Sequence, residues 1–361
     1  MYRRITGLMS IMVVLMLILT ACGGTNQSGA KPAAPESKTE QPAARPEPVV
    51  AKPTGKVTIY SSASKDLLDA MTPVLKAKYP ELEVEWVYGG TEELVDKLSA
   101  EFAAGSVAAD AIMMADPAYA RLLKDQGLLT PYTPAAVDKV KVDRDPEGYY
   151  TAVRVLDVVI VYNPDLVKPE EAPKSFKDLL DPKWKGQVAL SDPTKSGTAF
   201  ATVGALVNTY GWAYFETAQA NDWQVGGSSS SPVKKVGEGK AKVAITVEST
   251  YQSAKAKGSK GELVWPEDGA IVMESPYAIL KSTKNLAGAK AVIDWLITPE
   301  AQSMITKAGM HPVISGVEPP ANSRPLDQIL KNNMKVDWIK LSKEKGQIQD
   351  KFLQVVPVKP N

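Results

Sequence analysis

Two hydroxyl residues flank a glycine in the stretch "SDPTKSGTAFA", residues 191–201. The stretch lies between an apolar run, "GQVAL", and a helix-like segment, so Ser196, Gly197 and Thr198 fall where a helix begins. The first turn of a helix has backbone N–H groups without partners and a partial positive charge, which together suit an anion such as phosphate. Ser and Thr also cap helices where no ligand binds. The motif therefore predicts either an anion site or a plain helix cap.

Hydroxyl residues recur at the other predicted strand-to-helix turns. They are Ser62 and Ser64 after "KVTIY", Thr91 after "LEVEWVY", and Ser229 and Ser230 before "PVKKVGEG". In open α/β sheets, ligands collect at the carboxyl ends of the strands. Because these turns occur in both halves of the chain, the sequence predicts a cleft rimmed by hydroxyls and helix starts that holds a phosphate-like group.

The elements that would position these turns alternate between strands and helices. From Lys56, the strand "KVTIY" precedes a helix in which Pro73 is expected to cause a kink or a delayed start. The apolar residues of this helix fall at helical spacing: Leu67, Met71, Val74 and Leu75. The strand "LEVEWVY", a helix capped by Thr91, the buried strand "ADAIMMA" and a third helix follow. This order predicts an α/β fold with doubly wound, mostly parallel sheets.

A second set of elements begins after the long β-branched run "YYTAVRVLDVVIVYNPDLV", residues 149–167. It comprises the strand "GQVAL" with its helix, a short helix capped by Ser231, the strand "KVAITV", and the helix "STYQSAKAKG". The extended run "GAIVMESPYAIL" then precedes two helices, which we expect to be divided at Thr298 and Pro299.

Length and composition exclude several classes of protein. The 361 residues suffice for two domains, and 44% hydrophobic with 23% charged residues are typical of a soluble globular protein. A formal net charge of +1 does not favour nucleic acid as a partner. One Cys and one His exclude a disulfide scaffold, a Cys-rich metal site and an obvious Cys–His catalytic pair. Neither a Walker phosphate loop nor a G-x-S-x-G elbow is present, so we predict no enzyme, no cofactor and no resident metal.

The N-terminus has the pattern of a targeting segment. Residues 1–21 combine the basic "MYRR" with an apolar run, as in a signal peptide, and "LTAC" resembles the bacterial lipobox. The resemblance implies lipidation at Cys22, and a plain secretory signal is the alternative. Residues 22–55 are rich in Pro, Ala, Ser, Glu and Lys, so we expect a disordered tether that spans on the order of 30 Å. The predicted location is extracytoplasmic and lipid-anchored to the cell membrane, on the periplasmic side if an outer membrane exists.

The folded part resembles the extracellular solute-binding proteins of ABC importers, in the branch of ferric-ion, thiamine, phosphonate and sugar-phosphate binders. The matching segments include "VTIYSSASKDLLDAM", "ADAIMMADPAYARLLKDQGLL", "SDPTKSGTAFATVGAL" and "AVIDWLITPEAQSMITKAG". The resemblance implies a two-lobed periplasmic-binding-protein fold of type II with two crossing hinge strands. The expected first lobe comprises residues 56–153 and 275–310, and the second comprises residues 154–274 and 311–361. It also implies a monomer whose partners are a small anionic organic solute and an ABC permease.

The ferric-ion site of that family is only partly matched here. Ferric members use a His after the first strand, a Glu after the third strand, and two adjacent Tyr. The corresponding positions are Ser64, Ala115 with Asp116 beside it, and the pair Thr250 and Tyr251. Tyr251 is expected either to contact the solute or to pack in the core. A solute with a phosphoryl or phosphonate group is therefore predicted, with ferric ion or thiamine as the alternative.

The anion half of the family's site is retained at Ser196 and Gly197. An Asn that contacts the anion in ferric members corresponds to Glu248, which would accept a hydrogen bond from a hydroxyl or ammonium group of the solute. The alternative is an exposed Glu in a first helical turn, stabilised by the helix dipole. Trp223 is expected to be a lid aromatic or a structural residue, and His311 is expected to be structural.

Overall fold

The computed structural model describes residues 52–142 and 144–358. The predicted signal peptide, the predicted lipidation site at Cys22 and the tether up to residue 51 lie outside the described residues. The described part belongs to one compact unit, Val50–Asn361. Within it, no helix has the length and apolar character needed to cross a membrane.

Ten strands of the described residues form one mixed sheet. They are β1 (Gly55–Ser61), β2 (Leu82–Tyr88), β3 (Ala111–Met113), β4 (Leu129–Thr130), β5 (Thr151–Tyr162), β6 (Val188–Leu190), β7 (Gln224–Val225), β8 (Val243–Val247), β9 (Glu262–Val264) and β10 (Ile271–Leu280). The order across the sheet is β2-β1-β3-β10-β5-β8-β6-β7, with β4 paired to β10 and β9 paired to β5.

Two parallel groups of strands are joined by two long antiparallel ones. In the first group β1 pairs with β2 and β3, and in the second β6 pairs with β7 and β8. Between the groups, β10 pairs with β3 and β5, and β5 pairs with β8, all antiparallel. At 12 and 10 residues, β5 and β10 are long enough to run from one group into the other.

The part of the chain that the structure describes contains twelve α-helices. They are α1 (Lys65–Lys78), α2 (Thr91–Ala103), α3 (Tyr119–Asp125), α4 (Gly197–Tyr210), α5 (Ala213–Ala220), α6 (Ser231–Gly237), α7 (Glu248–Ala256), α8 (Leu286–Leu296), α9 (Pro299–Lys307), α10 (Leu326–Lys331), α11 (Trp338–Lys343) and α12 (Lys345–Val355). In the first group, α1 packs on β2, and both α2 and α8 pack on β1. Helix α3 packs on β10, and α6 packs on β6 and β8 in the second group. The predicted α/β alternation is confirmed.

The apolar pattern of the sequence explains the helices and the central strand. The buried face of α1 consists of Leu67, Leu68, Met71 and Leu75, as the helical spacing predicts. The helix begins at Lys65, well before Pro73, so the expected delay was wrong. The side chain of Pro73 is exposed, away from the core. All twelve residues of β5 are buried, because this strand has neighbours on both edges and core on both faces.

Two helices begin at, rather than after, the residue that the sequence predicts as their cap. The N-cap of α2 is Gly90, and Thr91 is the first helical residue rather than the cap. Similarly, Ser230 is the N-cap residue of α6, although its side chain makes no cap hydrogen bond, and Ser231 is the first helical residue. The predicted division between α8 and α9 is confirmed, because the side chain of Thr298 accepts a hydrogen bond from an N–H in the first turn of α9.

Candidate functional site

The starts of α2 and α4 touch each other. A Cβ placed on Gly197 would lie 2.7 Å from Cβ and 2.9 Å from Cγ2 of Thr91. A Cβ on Gly90 would lie 3.5 Å from the carbonyl oxygen of Lys195, which is an ordinary contact. Thr91 belongs to a helix packed on the first strand group, and Gly197 follows a strand of the second. The close approach therefore brings together two of the turns predicted from the sequence, and a side chain at position 197 would press on Thr91.

Ser196 caps α4. Its Oγ accepts a hydrogen bond from the N–H of Ala199 at 3.2 Å, and the hydroxyl of Thr198 lies 3.0 Å away. Ser196 itself is extended, with φ −137° and ψ 114°, as an N-cap residue should be. Thus the helix cap predicted from "SDPTKSGT" exists. The N–H groups of Gly197 and Thr198, at the first two helical positions, have no acceptor within the helix.

Thr198 and Ser229 line the same small cavity. Its volume is about 10 Å³, room for about one water molecule. Three further hydroxyl residues line it, namely Ser191, Thr202 and Thr246. The hydroxyl of Thr246 is buried and has no hydrogen-bond partner among the described residues. Five hydroxyls therefore converge beside the first turn of α4.

In the first strand group, Ser62 and Asp116 lie next to each other in the turns after β1 and β3. The hydroxyl of Ser62 accepts a hydrogen bond from the N–H of Ala115 at 2.8 Å. One carboxylate oxygen of Asp116 accepts from the N–H groups of Ala118 and Tyr119, at 3.0 and 3.1 Å. Asp116 therefore shapes the turn into α3, and its other carboxylate oxygen is left for a different partner.

That partner comes from the C-terminal helix. The ammonium group of Lys345 at the start of α12 lies 2.6 Å from Glu92 and 3.8 Å from the second oxygen of Asp116. Burial raises the pKa of Glu92, and the nearby Lys345 opposes this shift. The sequence carries no local signal for this contact, because 253 positions separate Glu92 from Lys345.

Arg154 on β5 is a functional candidate that sequence reasoning missed. It is 2% exposed, and its guanidinium donates to Ser275 Oγ at 3.0 Å, to Met310 Sδ at 3.4 Å and to Ser62 Oγ at 3.4 Å. All three acceptors are neutral, and no ion pair to Arg154 occurs within residues 52–142 and 144–358. Burial lowers the pKa of Arg154 to about 10. The signal available in the sequence was a charged residue inside a β-branched run.

Glu248 is buried at the start of α7, so the exposed position considered from the sequence was wrong. One of its oxygens accepts from Gln252 at 3.2 Å. The other accepts from the hydroxyl of Ser323 at 2.8 Å and lies 3.3 Å from Nε2 of His311. Whether Glu248 contacts a solute stays a prediction.

Asp157 on β5 completes a buried cluster with Glu248 and His311. Its Oδ1 lies 3.2 Å from Nε2 of His311, yet neither oxygen has a hydrogen bond among the described residues. Burial raises the pKa of Asp157 to about 6 against the opposing effect of His311. Burial alone would lower the pKa of His311, but the contacts with the two carboxylates outweigh it and raise this pKa to about 9. Asp157 was not singled out from the sequence.

Two of the predicted hydroxyl residues are exposed helix caps. Ser64 accepts a hydrogen bond from the N–H of Leu67 and so caps α1. Ser230 is the N-cap residue of α6, and its hydroxyl lies 3.3 Å from that of Ser228. Their contacts are local, and a role in solute binding stays a prediction for both.

Tyr251 and Trp223 are core residues. Tyr251 is buried on the face of α7 that packs against the second strand group, where its hydroxyl donates to the carbonyl of Gly261 at 3.4 Å and accepts from Lys255 at 2.8 Å. Trp223 is buried and packs edge-on against Tyr214 with ring centroids 5.8 Å apart. Both side chains are therefore packed in the core, and a contact of Tyr251 with a solute stays a prediction.

Solved structures with this fold are periplasmic binding proteins. The periplasmic binding protein AfuA from Actinobacillus pleuropneumoniae, with exogenous fructose-6-phosphate bound, superposes with a TM-score of 0.75 at 22% identity. The match covers 84% of this chain and 99% of AfuA. Iron-bound HitA from Pseudomonas aeruginosa gives a TM-score of 0.72 at 21% identity and covers 82% and 99% of the two chains. The predicted two-lobed type II periplasmic-binding-protein fold is confirmed.

Sequence comparison leads to the same family. A probable ABC transporter periplasmic-binding protein, y4fP of Sinorhizobium fredii, is 26% identical over 278 residues, which are 73% of this chain and 76% of that protein. The family model of bacterial extracellular solute-binding proteins matches residues 107–341. This match spans more than half of the sequence and includes Asp116, Arg154 and the first turn of α4, whereas Ser62 and Thr91 precede it. The chain belongs to the family of bacterial extracellular solute-binding proteins.

Proposed function

We propose that this protein is the substrate-binding component of an ABC importer and that it captures a small solute with a phosphoryl or phosphonate group outside the membrane. The family match supports solute binding, and the similarity to a protein named as a probable ABC transporter component supports delivery to a permease. Ferric ion and thiamine are the alternative cargoes.

The burial of Arg154 is the observation that supports a negatively charged solute. A buried cation without a counter-ion is costly, and a charge whose partner has been removed typically costs several kcal/mol. Arg154 reaches Ser62, which is only half-buried and lies in the turn after β1. Because a guanidinium matches the geometry of phosphate oxygens, an anion bound at Ser62 would supply the missing counter-charge.

The first turn of α4, in the second strand group, offers a second set of hydrogen-bond donors. The first turn of α4 has N–H groups without acceptors in the helix, and the hydroxyls of Thr198 and Ser229 lie beside it. The starts of α2 and α4 both carry partial positive charge, and they touch at Thr91 and Gly197. Two like poles in contact repel each other, so an anion between them favours closure of the cleft.

The expected affinity follows from the number of such contacts. A hydrogen bond to a charged group contributes about 1.5–3 kcal/mol, and a helix terminus contributes about 0.3–2 kcal/mol. Three or four of these bonds with the helix dipoles suffice for the roughly 8 kcal/mol of micromolar binding. The proposed solute therefore needs no covalent or metal-mediated contact.

We further propose that the lobes comprise residues 56–153 with 275–310 and residues 154–274 with 311–361. The two parallel strand groups fall into these two sets, and β5 and β10 lie between them in the sheet. Crossing strands of this kind act as a hinge about which two lobes close on a ligand. Arg154 on β5 would then lie at the hinge, where closure brings the walls together.

Ferric ion is a weaker candidate because its usual ligands are absent or engaged. Phenolate oxygen from Tyr251 would have to leave the contacts with Lys255 and Gly261 in the core. Ser64 is a neutral helix cap, and one oxygen of Asp116 is held by two backbone N–H groups. No observation favours thiamine.

Calorimetry on the purified protein tests the proposed cargo. We expect a hexose phosphate or aminoethylphosphonate to bind with micromolar affinity, and ferric citrate to give no visible tyrosinate band. Arg154→Gln should weaken phosphoryl binding at least tenfold, since it removes a charge-assisted bond. The matched control is Arg144→Gln, which removes an exposed arginine that forms an ion pair with Asp138.

Two results would contradict the proposal. One is binding of ferric ion or thiamine with no binding of any phosphoryl or phosphonate compound. The other is unchanged phosphoryl affinity in Arg154→Gln, which would show that the guanidinium is only a structural part of the hinge.

A further inference from the structure

We propose that Asp157, Glu248 and His311 bind one divalent transition-metal ion of the zinc type, as a resident site separate from the solute. The three side chains are at most 1% exposed and come from three segments: β5, the start of α7 and the turn after α9. One ligand atom from each lies within 4.8 Å of the others. The proposal does not depend on which solute the protein carries.

Two of the distances between the ligand atoms match the edge of a tetrahedral metal site. Nε2 of His311 lies 3.2 Å from Asp157 Oδ1 and 3.3 Å from Glu248 Oε2. A charge-assisted N–H···O bond is normally shorter, about 2.7–2.9 Å. Bonds of about 2.0–2.1 Å to a tetrahedral zinc place neighbouring ligand atoms about 3.3 Å apart, which is the edge of the tetrahedron.

The unsatisfied carboxylate of Asp157 is the second, independent observation. It is 1% exposed, and neither of its oxygens accepts a hydrogen bond among the described residues. Buried polar atoms nearly always have partners, and a buried carboxylate without one is costly. A cation between Asp157, Glu248 and His311 would satisfy an oxygen that the protein itself leaves open.

The donor set indicates which kind of ion binds. Two carboxylates and one imidazole suit zinc and similar ions, whereas magnesium prefers octahedral oxygen ligands. The two carboxylates balance the charge of a divalent cation. The hydroxyl of Ser323, 2.8 Å from Glu248 Oε2 and 3.3 Å from His311 Nε2, lies where a fourth ligand or a hydrogen bond to one would be.

The position on β5 separates this site from the anion site. Arg154 and Asp157 are three residues apart on one strand, so their side chains point to opposite faces of the sheet. On the metal side, His311 is joined to β5 by two backbone hydrogen bonds with Val155. An ion would therefore tie together β5, α7 and the segment after α9, and would stabilise the folded protein by mass action.

Zinc titration of metal-free protein without a histidine tag tests the site. We expect one equivalent of Zn²⁺ to bind with micromolar or better affinity and to raise the melting temperature, while Mg²⁺ does neither. Because the chain has one His, its imidazole gives a single set of NMR signals, and these should shift on binding. Cys22→Ser should leave the zinc affinity unchanged, which excludes the single thiol as a ligand.

Single substitutions test whether zinc binds at Asp157, Glu248 and His311 rather than at other carboxylates. Asp157→Asn keeps the shape of the side chain and removes its charge, so it should bind zinc at least tenfold more weakly. Circular dichroism of the metal-free variant shows whether it is folded. Glu248→Gln should also weaken zinc binding, because it removes the charge of a second proposed ligand. Glu92→Gln, which changes a buried carboxylate near Lys345, is the control and should bind zinc normally.

Three outcomes would overturn the proposal. They are the absence of zinc binding at micromolar concentrations, zinc binding that leaves the imidazole signals unshifted, and wild-type zinc affinity in Asp157→Asn. Loss of aminoethylphosphonate binding in Glu248→Gln, with zinc binding intact, would assign Glu248 to the solute instead.

Discussion

Replacing Gly197 by alanine should weaken solute binding while the fold becomes no less stable. Gly197 is the first residue of α4, and its φ lies outside the left-handed region, so alanine can adopt this conformation. Alanine is the better helix former by up to about 1 kcal/mol. The new Cβ, however, would lie 2.7 Å from Cβ of Thr91 on the opposite wall.

The size of the effect follows from that distance. Carbon atoms in good contact lie about 3.5–4.0 Å apart, so the start of α4 and the start of α2 must separate by roughly 1 Å. Overpacking of this kind typically costs about 1–3 kcal/mol. If solute binding requires the walls to touch, that cost corresponds to about 5- to 150-fold weaker binding.

Calorimetry and small-angle scattering on the same samples measure both parts of the prediction. We expect Gly197→Ala to bind a hexose phosphate more weakly, to contract less on adding it, and to melt at or above the wild-type temperature. Gly346→Ala is the matched control, because Gly346 lies in the first turn of α12 with open space around its Cβ position. Wild-type affinity and contraction in Gly197→Ala would refute the argument that the contact with Thr91 forms part of the bound state.

Two further predictions concern the C-terminal helix and the membrane anchor. Lys345→Met leaves Glu92 buried without its cation, so unfolding in urea should show a loss of about 1–3 kcal/mol. Because burial raises the pKa of Glu92, this carboxylate binds its proton more readily in the folded state, and the loss should be larger at pH 8 than at pH 5. An equal loss at both pH values would show that Glu92 has the same charge in the variant as in the wild type, so that loss of Lys345 does not favour its protonation. Cys22→Ser should release the protein from membranes into soluble fractions, and unchanged retention would rule out lipidation at Cys22 as the anchor.

The sequence by itself determined the elements and the family. The helical spacing of Leu67, Met71 and Leu75 and the β-branched run of β5 are patterns of neighbouring residues, and both formed as predicted. Helix starts could be located to within one residue, because capping depends on hydroxyl or glycine residues near the first turn. Ser196 is such a cap, and its chemistry was visible in "SDPTKSGT".

Only the tertiary structure decided which of these residues meet. Glu248 and His311 are 63 positions apart, and only the fold places their side chains 3.3 Å from each other. In the same way, the neutral surroundings of Arg154 and the contact of Gly197 with Thr91 depend on elements brought together from distant parts of the chain. Periodicity and capping depend on interactions between neighbouring residues, so they can be recognised in the sequence. The burial of Arg154 without a counter-charge arises only when the two strand groups join along β5 and β10.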